Sequence, residues 1–230
     1  MTLKKMTNAI SGLLPINKST GATSFSLVKI LRKITNVSKI GHAGTLDPFA
    51  SGVMLLLIGK SYTTKANELV ALDKEYLATI TLGSATNTYD IEGTVTNTSD
   101  YIPKIAEIQK AIDHFQNEIS QIPPMFSAKK VNGKKLYELA RKGITVERKP
   151  QIVSVETTLI SYNYPTLTIQ VKCSKGTYIR SIANDIGEML NTHAHLSALT
   201  RLRVGPYSLE NCIDQNDLND LPLEKFIYTL

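Results

Sequence analysis

The stretch Gly41-His42-Ala43-Gly44-Thr45-Leu46-Asp47-Pro48-Phe49-Ala50-Ser51-Gly52 runs directly into the apolar segment Val53-Met54-Leu55-Leu56-Leu57-Ile58. Pro48 biases Asp47 toward an extended backbone. The glycines permit turns and the close approach of a ligand. The expected geometry is a lone carboxylate at the mouth of a buried strand. No second carboxylate lies in the loop, so an acid/base pair of glycosidase type would need a distant partner. From the residues alone, the stretch is either such a site or a polar turn before a strand.

Working outward, Gly12 to Gly21 reads as a short strand and a turn. Ser24 is the expected N-cap of a helix running to about Ile34, with Leu27, Val28, Leu31 and Ile34 at helical spacing. Ser61 to Leu72 reads as a second helix. From Glu75 to Gly83 the chain alternates, with Tyr76, Ala78, Ile80 and Leu82 on one side, which predicts a strand. Ile105 to Phe115 is amphipathic and helical. Ile152 to Ile160 and Thr166 to Cys173 read as strands joined by a Tyr/Pro turn. Tyr178 to Leu190 reads as a helix whose stripe is Ile179, Ile182, Ala183, Ile186, Met189 and Leu190. Strands and helices mix without regular βαβ alternation, so the expected class is α+β rather than doubly wound α/β.

A chain of 230 residues with 42% apolar content supports one large domain. Its net charge of +6 suits a polyanionic partner. The distribution says more than the total. Phe126 to Lys149 holds Lys129, Lys130, Lys134, Lys135, Arg141, Lys142, Arg148 and Lys149 against Glu138 and Glu147. This is either a solvated face or a phosphate-binding surface. Phe126 and Tyr137 interleave with the cations, as they do on RNA-binding surfaces. Two cysteines, Cys173 and Cys212, are too few for a disulfide framework and fit a reduced, cytoplasmic setting. The longest apolar run, Val53 to Ile58, is too short to span a membrane. Lys4 and Lys5 precede a weakly apolar stretch that Asn8, Ser11 and Asn17 interrupt, so no secretory leader is expected.

Several other positions carry candidate chemistry. Tyr76 lies on the apolar side of its strand, where tyrosine is either core or functional. Asp90 is a candidate site residue or a turn residue before Gly93. Ser174-Lys175-Gly176-Thr177-Tyr178-Ile179-Arg180-Ser181 ends a strand, turns and starts a helix. Arg180 falls in the first helical turn, off the apolar stripe, and is either a surface arginine or a site residue. Leu199 is a core leucine or a substrate contact. His193 and His195 have ligand-like spacing, but no cysteine or acidic cluster completes a metal site. Gly59-Lys60-Ser61 mimics a P-loop ending, yet six apolar residues separate Gly52 from Gly59 where four residues are required. No G-x-S-x-G elbow is present for a serine hydrolase.

GHAGTLDPFASG, followed by an apolar strand and Gly59-Lys60, resembles the signature of the TruB family of pseudouridine synthases. Three further stretches extend the likeness: Asp73-Lys74-Glu75-Tyr76 with Leu82-Gly83 and Thr86-Asn87-Thr88-Tyr89-Asp90; Lys175-Gly176-Thr177-Tyr178-Ile179-Arg180; and His195-Leu196-Ser197-Ala198-Leu199-Thr200-Arg201-Leu202-Arg203-Val204-Gly205-Pro206-Tyr207. The resemblance as a whole covers roughly Gly12 to Tyr207. The resemblance implies a pseudouridine synthase fold, with a mixed, mostly antiparallel sheet, flanking helices and a central catalytic cleft. It implies isomerisation of the T-loop uridine of tRNA, position 55, to pseudouridine by a monomer. No cofactor or metal is implied, since the reaction involves neither redox change nor hydrolysis.

By the same resemblance Asp47 is the nucleophilic aspartate, and His42 enters the RNA and helps displace the base. Tyr76 lies against the flipped uracil and moves a proton. Arg180 pairs with Asp47 and keeps it ionised. Tyr178 contacts the substrate nucleotide, Leu199 packs on the uracil, and Asp90 sits near the RNA. Lys129, Lys130, Lys134 and Lys135 are the expected contacts to the RNA backbone. The chain departs from the family at Asn17-Lys18-Ser19, where Asp-Lys-Pro is usual. Roughly two dozen residues follow Tyr207, too few for the PUA-type RNA-binding domain of many bacterial members. The expectation is therefore one catalytic domain over residues 1–230, with a basic RNA-binding insert around 101–150. Two other classes remain open: a non-catalytic RNA-binding module, and an enzyme that uses Asp47 on a small nucleoside or sugar.

Overall fold

The computed structural model describes residues 10–229. The reading that no leader begins the chain rests on residues 1–9 in part, which lie outside the described residues. Packing divides the chain into two compact units, residues 1–72 with 201–230, and residues 73–200.

The first unit is built on a strand buried on both faces. β1 (Gly12–Lys18) pairs antiparallel with β3 (Ser51–Ile58), from Gly12↔Ile58 to Lys18↔Gly52. β2 (Ile40–Ala43) also runs antiparallel to β3. Every residue from Val53 to Ile58 is fully buried. That explains a continuous apolar run in place of alternation. Met54, Leu56 and Ile58 pack on Leu27, Val28 and Leu31 of α1 (Ser24–Thr35). Val53, Leu55 and Leu57 pack on Leu13, Ala43, Leu69, Val204 and Tyr207.

The cap of α1 is Thr23, not Ser24: the Thr23 hydroxyl accepts from the Ser26 amide at 3.0 Å. Ser24 is buried and used elsewhere. The helix expected over Ser61–Leu72 is two short helices, α2 (Lys60–Thr63) and α3 (Ala66–Val70). The hydroxyls of Thr63 and Thr64 donate to the carbonyls of Lys60 and Ser61, which competes with the helical ladder where it breaks.

The second unit begins with β4 (Lys74–Leu82), whose burial alternates strictly, with Tyr76, Ala78, Ile80 and Leu82 inward. A hairpin of β5 (Ser84–Thr86) and β6 (Val95–Thr98) follows, with Asp90 in the connection. Then come α4 (Ile105–Asp113), β7 (Gln116–Gln121), the small ladder β8 (Lys130–Val131) with β9 (Lys134–Lys135), and α5 (Leu136–Ala140). β10 (Gln151–Asn163) and β11 (Thr166–Cys173) form the expected hairpin across Tyr164-Pro165. β4, β11, β10 and β7 are successive antiparallel neighbours.

α4 and α6 (Ile179–Met189) bury Ile108, Ala111 and Ile112, and Ile179, Ile182, Ala183 and Ile186. Met189 falls outside the expected stripe and is 44% exposed. The buried Thr157 hydroxyl of β10 hydrogen-bonds the carbonyls of Ile112 and Phe115 at the end of α4. Its single proton serves one of these acceptors at a time, and the Ile112 carbonyl also accepts from the Phe115 amide at 2.9 Å.

β12 (Ala194–Val204) starts in the second unit, where the Ser197 hydroxyl donates to Thr79 of β4. It ends in the first unit, where β13 (Tyr207–Ser208) folds back on it. β14 (Ile213–Asp214) runs parallel to β1. The class is α+β with mostly antiparallel pairing, as expected. No helix among the described residues is long and apolar enough to cross a membrane.

Candidate active site

The loop that carries Asp47 is held at several points within the first unit. At its centre the Asp47 carbonyl accepts from the Ala50 amide at 3.1 Å, closing a turn with Pro48 in its second position, where the fixed φ of proline fits. Before Asp47, the buried Ser24 hydroxyl both accepts from the Leu46 amide and donates to the Leu46 carbonyl, each at 3.0 Å. After Asp47, the Pro48 carbonyl accepts from the Gly21 amide at 2.8 Å and from Lys18 Nζ at 3.3 Å. Lys18 is fully buried, and its ammonium also donates to the carbonyls of Ser19 and Ala22. Asp47 itself is half-buried.

The departure at Asn17-Lys18-Ser19 has a local compensation. The Ser19 amide, a donor that proline lacks, bonds Gln215 Oε1 at 3.1 Å. The Asn17 side chain donates to Asp214 Oδ2 at 3.1 Å. The turn is thus tied to the segment around β14.

In the second unit two of the candidate residues, Arg180 and Asp90, meet. Arg180 is not a surface arginine: it is 7% exposed, although it lies in the first turn of α6. Its Nη1 bonds Asp90 Oδ2 at 3.1 Å and the Thr88 carbonyl at 3.2 Å, and its Nη2 bonds the Phe126 carbonyl at 2.8 Å. Asp90 is 4% exposed and also accepts from the Thr88 hydroxyl at 2.6 Å and the Glu92 amide at 3.1 Å. A buried ion pair is often no more stabilising than apolar packing, so it is weak evidence for a purely structural role. Such arrangements concentrate at functional sites.

Tyr178 is the residue before α6, and its backbone amide and carbonyl are bracketed by the buried Gln121 side chain at 2.8 and 3.1 Å. Tyr76 and Leu199 are both buried, on the neighbouring strands β4 and β12. His193 and His195 serve local bonding: His193 Nδ1 is 3.1 Å from Glu188, and His195 Nδ1 is 2.9 Å from the Ser84 carbonyl.

The basic segment has more order than its charge pattern suggested. Asn132 and Gly133 both have positive φ and close the hairpin of β8 and β9, the two-residue turn favoured in such ladders. Lys130 and Lys134 are exposed there. Lys129 bonds Gln151 at 3.0 Å. Lys135 and Arg141 both lie 5.4 Å from the Tyr137 ring centre, a cation–aromatic cluster. Its start, Phe126, is the residue that Arg180 holds.

Sequence reasoning did not single out Ser24, Lys18, Gln121 or Arg201 as site-forming. The usable signal for Arg201 was its phase: it follows Leu199 by two residues and is 1% exposed. Burial pushes the Cys212 thiol up to about 12, which disfavours its thiolate.

The His42 imidazole is lowered from its ordinary value by burial and then by the nearby Arg201 charge. Its Nδ1 is buried and has no hydrogen-bond partner among the described residues. The folded chain therefore resists protonation there more than the unfolded chain does. Below about pH 6.5, the unperturbed histidine value, the unfolded state gains a proton first. This term is neutral above that pH and destabilises as pH falls toward the depressed folded value. Urea midpoints measured between pH 7.5 and 5 should fall more for the parent protein than for His42→Gln. Equal falls would show that His42 is not held neutral.

Residues 32–179 match the model for the TruB family pseudouridylate synthase N-terminal domain. Residues 180–225 match the tRNA pseudouridylate synthase B C-terminal domain. The chain is 55% identical over 210 residues to tRNA pseudouridine synthase B of Protochlamydia amoebophila (strain UWE25), covering 91% of this chain and 80% of that protein. It is 43% identical over 227 residues to tRNA pseudouridine synthase B of Clostridium kluyveri, covering 95% and 78%. Among solved structures, "Crystal Structure of a Cbf5-Nop10-Gar1 Complex" superposes with a TM-score of 0.75 at 27% identity, over 95% of this chain and 60% of that one. The buried Arg180–Asp90 pair and the fastened Asp47 loop lie within the matched region, and the chain belongs to the TruB family of pseudouridylate synthases.

Proposed function

We propose that this protein isomerises uridine to pseudouridine at position 55 in the T loop of tRNA, with Asp47 as the catalytic carboxylate. The observation that carries this reading is the fastening of the Asp47 loop, which lies within the residues 32–179 that match the family model, by Ser24, Lys18 and Gly21 from the preceding segment. A carboxylate on a loop bound at this many points is preorganised for reaction at one atom. The reaction breaks the C1′–N1 bond, turns the uracil and joins C5 to C1′. N1 gains a proton and C5 loses one. A stacked base cannot undergo this, so the nucleotide must be flipped out. Covalent attack by Asp47 and electrostatic support of positive charge at C1′ both require the carboxylate ionised.

The remaining roles follow from the same reading. Arg180 pairs with Asp47, and Asp90 orients Arg180. Tyr76 moves a proton at the displaced uracil, against which Leu199 packs. Tyr178 contacts the substrate nucleotide, and His42 enters the RNA in an uncharged form. Lys129, Lys130, Lys134 and Lys135 meet phosphates of the T arm. The protein acts as a monomer in the cytoplasm, a setting that suits its two free cysteines.

The test of the Asp47 assignment uses a tRNA transcript, with pseudouridine located by chemical adduct and primer extension. Asp47→Asn should leave tRNA affinity within a few-fold and abolish the adduct at the T-loop position. Substantial turnover by the pure variant would remove Asp47 from its role.

The basic segment is tested by salt. Each phosphate contact contributes about 0.7–0.9 to the log–log slope of affinity against salt. Replacing the two exposed lysines of the β8–β9 hairpin, Lys130 and Lys134, by Ala should therefore shallow that slope by about 1.5. An unchanged slope and affinity would return the segment to a solvated surface.

A further inference from the structure

Arg201 is among the most deeply buried large side chains in the protein, at 1% exposure. Within the first unit its Nε donates to the Val53 carbonyl at 2.6 Å and its Nη2 to the Gly44 carbonyl at 3.4 Å. Both partners are backbone carbonyls, and they stand on either side of the Asp47 loop. Gly44 precedes Asp47 by three residues, and Val53 follows it by six. The backbone around these points leaves no slack. Gly44 has φ +87°, and Gly52 has φ +108°. A Cβ on Gly52 would lie 2.2 Å from the Arg201 carbonyl oxygen and 2.6 Å from its amide nitrogen.

Burying a guanidinium is expensive, and an apolar side chain would fill the same space without that cost. What an apolar side chain lacks is a rigid planar array of donors that reaches two carbonyls at once. Lysine lacks the planar array too: its three donors radiate from one nitrogen, which suits carbonyls that converge on a point, as at Lys18.

We propose that Arg201 is a positioning residue for the reaction: by tying the Gly44 and Val53 carbonyls together, it sets the conformation of the loop that presents Asp47. This rests on the assignment of Asp47 above. Arg201 needs no contact with RNA for this, so it should act on the chemical step and leave binding alone. A misplacement of the carboxylate by a fraction of an ångström to 1 Å is enough to slow a reaction by about tenfold to a hundredfold.

The test compares Arg201→Lys and Arg201→Met with the parent in three measurements on the full chain: tRNA transcript affinity, single-turnover rate at saturating protein, and hydrogen exchange of the Leu46 and Ala50 amides. The expected result is affinity within about threefold of the parent, a rate reduced at least about tenfold in both variants, and faster exchange at both amides. Rates within about threefold of the parent would overturn the proposal. A loss of affinity that matches the loss of rate would overturn it as well, since Arg201 would then be a binding residue. Should Arg201→Met fail to fold, Arg201→Lys decides by the same criteria. Asp47→Asn, assayed alongside, separates the two readings. If it is inactive while Arg201→Lys keeps full rate, only the positioning proposal falls. If it is fully active, the assignment of Asp47 falls.

Discussion

The buried backbone polar groups between Gly44 and Val53 must find partners, because this loop, although Thr45 is exposed, enters a strand that is buried on both faces. β3 admits no solvent from Val53 onward, and an unpaired carbonyl or amide there would cost as much as a lost hydrogen bond or more. The chain meets the constraint with side chains drawn from distant segments. Lys18 comes from β1, Ser24 from the start of α1, and Arg201 from the end of β12. Two of these three are buried cations bonded to carbonyl oxygens. The same bonds that solve a folding problem also immobilise Asp47. In the first unit the fold and the proposed Asp47 site therefore share these interactions.

The second unit uses a related device. Arg180 is buried in the first turn of α6 and reaches two separate segments, one through Asp90 and Thr88 and the other through Phe126. The β5–β6 connection and the start of the basic segment are thereby fixed to one side chain. A guanidinium suits this because its donors are planar and diverge at fixed angles. Phe126 leads into the cationic stretch, so the placement of residues proposed to meet RNA phosphates depends on the residue proposed to face Asp47. In this account, substrate contact and chemistry share a support in the protein interior.

Much of this was legible in the sequence, for identifiable reasons. The run from Val53 to Ile58 and the alternation from Tyr76 to Leu82 are hydrophobic patterns, and burial obeys them directly. The turn before β3 was legible because glycine and proline each do something there that few residues can replace. The errors share a different origin. Ser24 was read as a helix cap because a cap is a local feature, whereas its partner Leu46 lies 22 residues away. The break between α2 and α3 follows from two threonine hydroxyls that compete with the helical ladder, which hydrophobic spacing does not register. Arg180 and Arg201 were hardest to read. A charged residue in an element looks solvent-facing until the partners that bury it are known, and those partners are backbone carbonyls and a carboxylate remote in sequence.

The most direct measurement of the central claim is tritium release from tRNA transcripts carrying uridine labelled at C5. Forming the C5–C1′ bond expels that hydrogen, whereas binding alone does not, and hydrolysis of the glycosidic bond frees the base with its label intact. The account predicts release of about one equivalent of tritium per tRNA, from the T-loop uridine alone, with no free uracil and no change in RNA length. Tight binding without release would make the protein an RNA-binding module. Free labelled uracil would make it a glycosidic-bond hydrolase. Either result would contradict the account.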